Sequence, residues 1–279
     1  SVFIMKGILL CSKAGILNYI VPNNILRTTT YDIVRKFILD NTCINQIVDL
    51  GSGVFDSVTA STIIMQIANT INISNNLCSI TDIKNLQQQQ FNISNISQDQ
   101  FKNNISYSFN IYGDNKSQSI ISKIEKSNYR LGDICLYISP GIDGNKDKYV
   151  SKYKIDETYK PLLYGKNIKR YHINFDNNYI LYDKNLLNRS RNETIFKSNK
   201  IILQRISGGE QPITATIDNG NYYTFNSVNN IILKDDLWGL KVIASILNSK
   251  IINWYYANNF SNKSNLTVNI SKTYLEKLP

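Results

Sequence analysis

Three sets of residues in this chain have types and spacings that could do chemistry. The first is Val48-Asp49-Leu50-Gly51-Ser52-Gly53-Val54-Phe55, an apolar run that ends in a glycine turn. A strand, a loop whose backbone approaches a ligand closely and a following helix would together cradle a nucleotide-like cofactor. The context argues against that use. Val58 to Ile67 reads as a further strand rather than a helix. No acidic residue ends a following strand at the distance of a ribose clamp. No Asn-Pro-Pro-Tyr or Asp-Pro-Pro-Tyr lies downstream to hold an amino group.

The second set is basic. Lys166, Lys169 and Arg170 are interleaved with Tyr164 and Tyr171; Arg189 and Arg191 form a second cluster, and Arg205 beside Gly208-Gly209 a third. Lys263 and Lys272 are further members with less around them. The planar fork of Arg can make two hydrogen bonds to guanine, whereas Lys acts mostly as a point charge on phosphate. The plainer reading of each is a solvated face. The third set is defined by what it lacks. Cys11, Cys43, Cys78 and Cys135 form no CxxC pair, and His172 is the only histidine. That excludes a zinc site of ordinary spacing and any mechanism needing two histidines.

The 279 residues allow one large domain or two smaller ones. Hydrophobic residues make up 42%, enough for a packed core. Lys plus Arg is 31 and Asp plus Glu 21, a formal charge of +10 that favours a polyanionic partner such as nucleic acid. Abundant Asn beside Ile and Lys points to an AT-rich genome, so a single Asn carries little functional weight. No apolar run reaches membrane-spanning length, Lys6 and Lys13 interrupt the apolar start, and no signal peptide is seen. No membrane partner is expected, and unpaired cysteines suit a reduced, cytoplasmic chain.

These groups need elements to position them. Val2 to Leu10 reads as a helix stopped near Gly15, and Ile16 to Val21 as a buried strand. Thr30 could cap a helix over Tyr31 to Leu39, and Ile44 to Leu50 reads as another buried strand. Ser74 to Asn110, with its Gln87 to Gln90 tract, reads as a surface connection, and Ser119 to Lys126 as a connecting helix. Short strands are expected at Ile134–Ile138, Tyr179–Tyr182, Lys200–Ile206, Ile213–Ile217, Tyr222–Phe225 and Val228–Lys234. Asp218-Asn219-Gly220 is a hairpin signal between two of them. Leu237 to Ala257 reads as one long helix with Leu240, Ile243, Leu247 and Ile251 on a face. The first part is α/β in pattern and the second β-rich, closed by helix.

Taken in order, several segments resemble the late part of the TaqI-type adenine-specific DNA methyltransferases, including the type IIG restriction-modification enzymes. Lys13-Ala14-Gly15 through Pro22-Asn23-Asn24 resembles the strand that follows their catalytic motif. Arg27, Tyr31 and Arg35-Lys36-Phe37-Ile38-Leu39 resemble the next helix, and Ile47 to Phe55 the late strand and turn. Pro140-Gly141-Ile142-Asp143-Gly144-Asn145-Lys146 resembles the approach to the specificity domain, with Asp143 where Thr is usual. Pro161-Leu162-Leu163-Tyr164-Gly165-Lys166-Asn167-Ile168-Lys169-Arg170-Tyr171 resembles that domain's signature. Leu247-Asn248-Ser249 and the final Leu278-Pro279 resemble its ending.

The resemblance implies an α/β remnant of a Rossmann-like methyltransferase domain with its connector over residues 1–110. An α+β, β-rich target-recognition domain would follow over 111–279. It implies double-stranded DNA as partner and Phe55 as the aromatic that stacks on a flipped adenine. It implies Lys166, Lys169, Arg170, Tyr171, Arg189, Arg191 and Arg205 as DNA-binding candidates. The intact enzyme would use S-adenosylmethionine, and Mg2+ only if a nuclease domain lies upstream. This stretch lacks the cofactor and catalytic motifs. It is therefore expected neither to bind that cofactor nor to act alone, and to need an upstream part of the same polypeptide. Two other readings are a non-catalytic specificity subunit of a type I restriction system and a complete small methyltransferase using the Gly51–Gly53 turn. Residues 13–65 and the single recognition module weigh against the first, and the context of the turn against the second.

Overall fold

The structure, a computed structural model, describes residues 2–51, 53–55, 61–71, 75–85, 90–112, 115–207, 211–235, 239–260 and 268–279. The chain divides into two compact units, residues 1–116 with 258–264, and residues 117–257 with 265–279. Both are mixed α/β and rich in sheet. No helix among the described residues is long and apolar enough to cross a membrane.

The first unit has helices α1 (Val2–Leu10), α2 (Asp32–Asn41) and α3 (Gln98–Asn103) and strands β1 (Ile16–Pro22), β2 (Cys43–Gly51), β3 (Thr62–Ala68), β4 (Leu77–Asn85) and β5 (Gln90–Ser97). The strands form one sheet in the order β1-β3-β2-β4-β5. β3 runs antiparallel to both neighbours, and β2 pairs with β4 in parallel. Alternation decides which side chains go inside. Ile63, Met65 and Ile67 of β3 are buried with Ile44 and Ile47 of β2, Ile4 and Ile8 of α1, Ile38 and Leu39 of α2, and Phe101 of α3. Intervening positions carry amides: Gln66 donates to Asn18 and Gln46 to Thr81.

Two expectations change here. The stretch from Ser74 to Asn110 is not a surface connection, because β4, β5 and α3 are integral to the unit. Cys78, Ile80 and Phe101 are buried, while residues 90–95 of β5 are exposed, Phe91 and Ile93 among them. The strand expected from Val58 begins at Thr62; residues 56–60, like Gln87 to Gln89 of the tract, lie outside the described residues. Two helix ends also differ. Thr30 lies in a 3-10 turn before α2, which has no side-chain cap at Tyr31, and the left-handed residue after α1 is Ala14 rather than Gly15.

The second unit holds strands β6 (Cys135–Pro140), β7 (Val150–Ser151), β8 (Tyr159–Leu163), β9 (Ile168–Lys169), β10 (His172–Ile173), β11 (Tyr179–Leu181), β12 (Asn199–Gln204), β13 (Ile206–Ser207), β14 (Ala215–Asn219), β15 (Tyr223–Thr224), β16 (Val228–Leu233) and β17 (Val268–Asn269). Two four-stranded sheets result, β14-β12-β16-β6 and β15-β8-β11-β7, with the small pairs β9–β10 and β13–β17.

Asp218-Asn219-Gly220 makes a turn but no hairpin between β14 and β15. β14 pairs with β12, whereas β15 leaves to join β8 in the other sheet. The Asp218 carboxylate accepts from the backbone N–H of Asn221 and Tyr222, and Gly220 has φ +81°. The expected strand from Lys200 is interrupted at Arg205. The expected long helix is two, Leu240–Asn248 and Lys250–Asn259, broken where Ser249 is extended. Both flanking amides serve backbone: Asn248 exchanges two hydrogen bonds with Ala215 of β14, and Asn253 accepts from Ile213 and donates to Leu247 and Ser249.

The four cysteines are unpaired, and burial pushes the thiols of Cys78 and Cys135 up to about 12. Lys200 and Asp218, on neighbouring strands, form an ion pair of 2.5 Å with both side chains 0% exposed. Lys200 also donates to Phe196 O at 2.7 Å. Burial pulls the Lys200 pKa down, and Asp218 opposes that pull. Removing one partner strands the other charge. Lys200→Ala or Asp218→Asn should therefore cost about 3–5 kcal/mol of unfolding free energy, read as a shift in the urea midpoint. An unshifted midpoint for both would show that the pair does not hold β12 to β14.

Candidate nucleic-acid interface

Four of the basic candidates, Lys166, Arg189, Arg191 and Arg205, are built around one turn, Thr224 to Val228, between β15 and β16. The segment Pro140–Gly144 docks on it. Gly141 N–H donates to Val228 O at 2.9 Å and Ile142 N–H to Thr224 O at 2.8 Å. A Cβ at Gly141 would lie 2.2 Å from Thr224 O and 2.5 Å from Phe225 O, so this close approach requires Gly. Asp143, which stands where the resembled family has Thr, accepts from Asn226 Nδ2 at 3.1 Å. The substitution therefore has a local partner.

Three arginines converge here. Arg189 and Asp143 exchange backbone hydrogen bonds of 3.1 Å, leaving the Arg189 side chain exposed. Arg191, half-buried with φ +67°, donates from Nε to Gly141 O at 3.2 Å, and its own carbonyl accepts from the Tyr182 hydroxyl. Arg205 donates from Nη1 to Asn226 O at 3.1 Å and from its backbone to Ser227 O at 2.9 Å. Arg191 and Arg205 thus spend donors on the protein's own carbonyls, which fixes the guanidinium planes before any ligand arrives. Gly208-Gly209 and Lys263 lie outside the described residues. Lys272 pairs with Glu276 one helical turn on.

The signature segment reaches the same turn from the other side. Gly165 N–H donates to the Ser227 hydroxyl, and a Cβ at Gly165 would meet Ser227 O at 2.9 Å. Asn167, buried, accepts from Tyr164 N–H and donates to Asn174 O, closing the loop that carries Lys166. Lys166 is exposed but not free, since Nζ lies 2.7 Å from Asp176. Burial alone would raise the Asp176 pKa; hydrogen bonds from Lys166 and Asn167 outweigh it and hold the carboxyl low. Lys169, Arg170 and Tyr171 stand apart, on the β9–β10 turn. Lys169 and Tyr171 are exposed, while Arg170 is half-buried with its Nη2 buried and unpartnered. Residue type alone could not have singled out Asn226 or Ser227, which are small polar residues in a chain full of them.

Phe55 belongs to the first unit and lies outside its core, 47% exposed, past Gly51 and Gly53 with φ +70° and +81°. Asp49 fixes the start of that turn, accepting from Gly51 N–H and from the Tyr112 hydroxyl. Arg27 lies over the Tyr112 ring and donates to Asn110. β2 then returns as antiparallel β3 on the same sheet. Deep inside, Arg35 donates to the carbonyls of Ile25, Thr28, Ser106 and Tyr107, so it is a clamp on two loops.

Fold and loops together define the class: the protein is similar to DNA restriction-modification enzymes. Residues 160–279 match the family described as the TaqI-like C-terminal specificity domain, and residues 1–55 that described as the Eco57I restriction-modification methylase. Among solved structures, the type IIL restriction-modification enzyme MmeI in complex with DNA is 10% identical. It covers 96% of this chain and 39% of its own, with a TM-score of 0.60. The ATP-dependent type ISP enzyme LlaBIII bound to DNA is 11% identical, covers 94% and 25%, and has a TM-score of 0.54. The DrdV–DNA complex is 10% identical, covers 94% and 36%, and has a TM-score of 0.51. At these identities the likeness is one of fold, and the chain spans about a quarter to two fifths of those chains. No curated protein matches the sequence.

Gly141→Ala should force the two backbones apart and cost about 1–3 kcal/mol, as overpacking does. Denaturation of the variant beside Gly144→Ala, whose nearest neighbour is the flexible Leu187 side chain, checks this. Equal losses at the two sites would remove the special role of Gly141.

Proposed function

We propose that the second unit is the target-recognition part of an adenine-specific DNA methyltransferase from a restriction-modification system. The observation that carries this reading is the match of residues 160–279 to a specificity domain, over the stretch where the basic residues gather. That the solved relatives are held in complexes with DNA supports it. The match of residues 1–55 to a methylase disfavours the specificity-subunit reading.

In this proposal the whole enzyme transfers the methyl group of S-adenosylmethionine to the adenine amino group, with transfer groups supplied outside residues 1–279. An adenine within a duplex cannot reach a methyl donor and must be extruded. Phe55, exposed past Gly51 and Gly53, is suited to replace the lost stacking, worth about 1–3 kcal/mol per base. In this reading the Gly51–Gly53 turn does not cradle the cofactor, and the return of the chain as antiparallel β3 supports that reading. Lys169 and Lys166 would contact phosphate, Lys166 exchanging Asp176 for it. Arg170, Arg189, Arg191 and Arg205 would read base edges.

Phosphate contacts release counterions, so duplex affinity should fall steeply with salt. Lys169→Ala should weaken all duplexes alike and flatten that slope by about one. Alanine at a base-reading Arg should cost about 1–3 kcal/mol on the preferred site and relax discrimination there. Affinities of each variant for target and scrambled duplexes at several salt concentrations check this. If neither Lys166 and Lys169 nor the four arginines alter affinity or slope, recognition lies elsewhere.

In the whole enzyme, Phe55→Ala should slow methylation far more than it weakens duplex binding, because stacking acts on the flipped state. Equal methylation rates for variant and parent would remove Phe55 from the reaction. Calorimetry of residues 1–279 with S-adenosylmethionine should give no saturable heat; a micromolar site lost in Gly51→Val would reverse the reading of that turn.

A further inference from the structure

The β9–β10 turn holds a feature that phosphate and base contacts leave unexplained. Lys169 pairs with His172, so Arg170 and Tyr171 are the two central residues. Tyr171 has φ +62°. A left-handed residue in the second central place is where a type II turn takes Gly or Asn. A bulky aromatic there is strained and persists only where the surroundings over-determine it.

The surroundings do so through backbone. Tyr171 N–H donates to Ala215 O at 3.1 Å. The same carbonyl accepts from Asn248 Nδ2 at 2.9 Å, and Asn248 Oδ1 accepts from Ala215 N–H at 2.9 Å. A buried amide at the end of the helix Leu240–Asn248 thus fixes the strand edge on which the turn sits. The anchoring uses no part of the Tyr171 ring, which is 62% exposed.

The ring instead forms one wall of a depression of about 340 Å³, lined also by Thr216, Ile217, Lys241, Ala244 and Ser245. Lys241 is exposed, and no acidic side chain is among the lining residues. Lys169 and His172 close the turn on either side and are exposed. An aromatic face beside a cation across a shallow cleft suits a nucleotide unit, the π-face taking base or sugar and the ammonium taking phosphate.

We infer that the Tyr171–Lys241 depression is a nucleotide subsite of the DNA surface: Tyr171 packs on a deoxyribose, which a duplex leaves open, and Lys241 neutralises the adjoining phosphate. The inference rests on the DNA-recognition reading and adds to it a residue, Lys241, on a different element. Strain is then the cost of placing the ring, and stability and binding must respond to Tyr171 in opposite senses.

The test uses the whole chain and a fluorescent mixed-sequence duplex, with anisotropy across a salt series and urea unfolding of each variant. Tyr171→Gly should keep or raise the urea midpoint, since Gly adopts φ +62° without strain, while affinity falls about tenfold. Tyr171→Phe should bind within about twofold of the parent, because the ring is retained. Lys241→Gln should lower the slope of log affinity against log salt by about one. Either variant behaving like the parent removes that residue from the subsite. A lower midpoint for Tyr171→Gly makes Tyr171 a structural residue and overturns the inference. A parent chain that binds no duplex fails the DNA reading itself, a result distinct from both.

Discussion

The approach of two backbones at Gly141 is the constraint on which the arrangement of the second unit depends. With Thr224 O where a side chain would begin, the segment after β6 lies directly on the turn between β15 and β16. Everything basic near that turn is then placed by short connections. Arg191 reaches Gly141, Arg205 reaches Asn226, Asp143 ties Arg189 to the same segment, and Gly165 brings the loop of Lys166 onto Ser227. Two sheets that share no strand are joined here, because β15 pairs with β8 while β16 pairs with β12 and β6. A side chain at Gly141 would disturb several loops at once, although it contacts only one.

Buried amides do most of the remaining positioning. Gln98 accepts from Ile44 N–H and donates to Thr42 O, so it acts as a length of strand at the start of β2. Asn229 donates to Ile270 O, Asn230 to Ser139 O, and Asn248 and Asn253 complete the backbone bonding of residues 213–215. A carboxamide has the donor and acceptor of a peptide group and no charge, so it can satisfy buried backbone without the desolvation cost of an ion. These are the residues that sequence reading discounts most readily in an Asn-rich chain. Composition shows that Asn is common, and only the fold shows which ones are enclosed.

Legibility followed the length scale of the signal. α1, β1, β2 and, in the second unit, β6, β11, β12, β14, β15 and β16 were readable because apolar spacing is local, whereas β7 to β10 and β17 are too short or too polar to show it. β4 and β5 were not readable either, since one alternates weakly and the other is an exposed edge, so Asn and Ser there resemble a loop. The break at Ser249 was hidden because an apolar stripe continues across it, while the amides on either side, Asn248 and Asn253, are taken up by Ala215 of β14 and by Ile213 just before it. Phe55 could be read as a core residue at a strand end, yet the left-handed turn at Gly51 carries it outside. Charge was the least legible property. Lys200 and Lys169 are alike in sequence, but one is sealed against Asp218 and the other faces solvent. Lys166 is exposed and still paired.

That distribution of charge has a consequence for a surface meant to meet a polyanion. A scaffold held by exposed ion pairs would loosen under the salt that also weakens a phosphate contact, because both are screened alike. In the second unit the bonds that place the loops mostly involve no ion pair: amide to carbonyl, backbone to backbone, or guanidinium to carbonyl. The enclosed ion pair Lys200–Asp218 is shielded by burial. Loop geometry can therefore stay fixed while ionic strength varies, leaving the exposed cations as the salt-sensitive part. Preorganised guanidinium planes lose little further freedom on binding, so hydrogen bonds to a ligand carry less ordering cost. Where an arginine is already held by a carbonyl, its remaining donors point in directions set by the fold, and such directions are what allow one base edge to be distinguished from another.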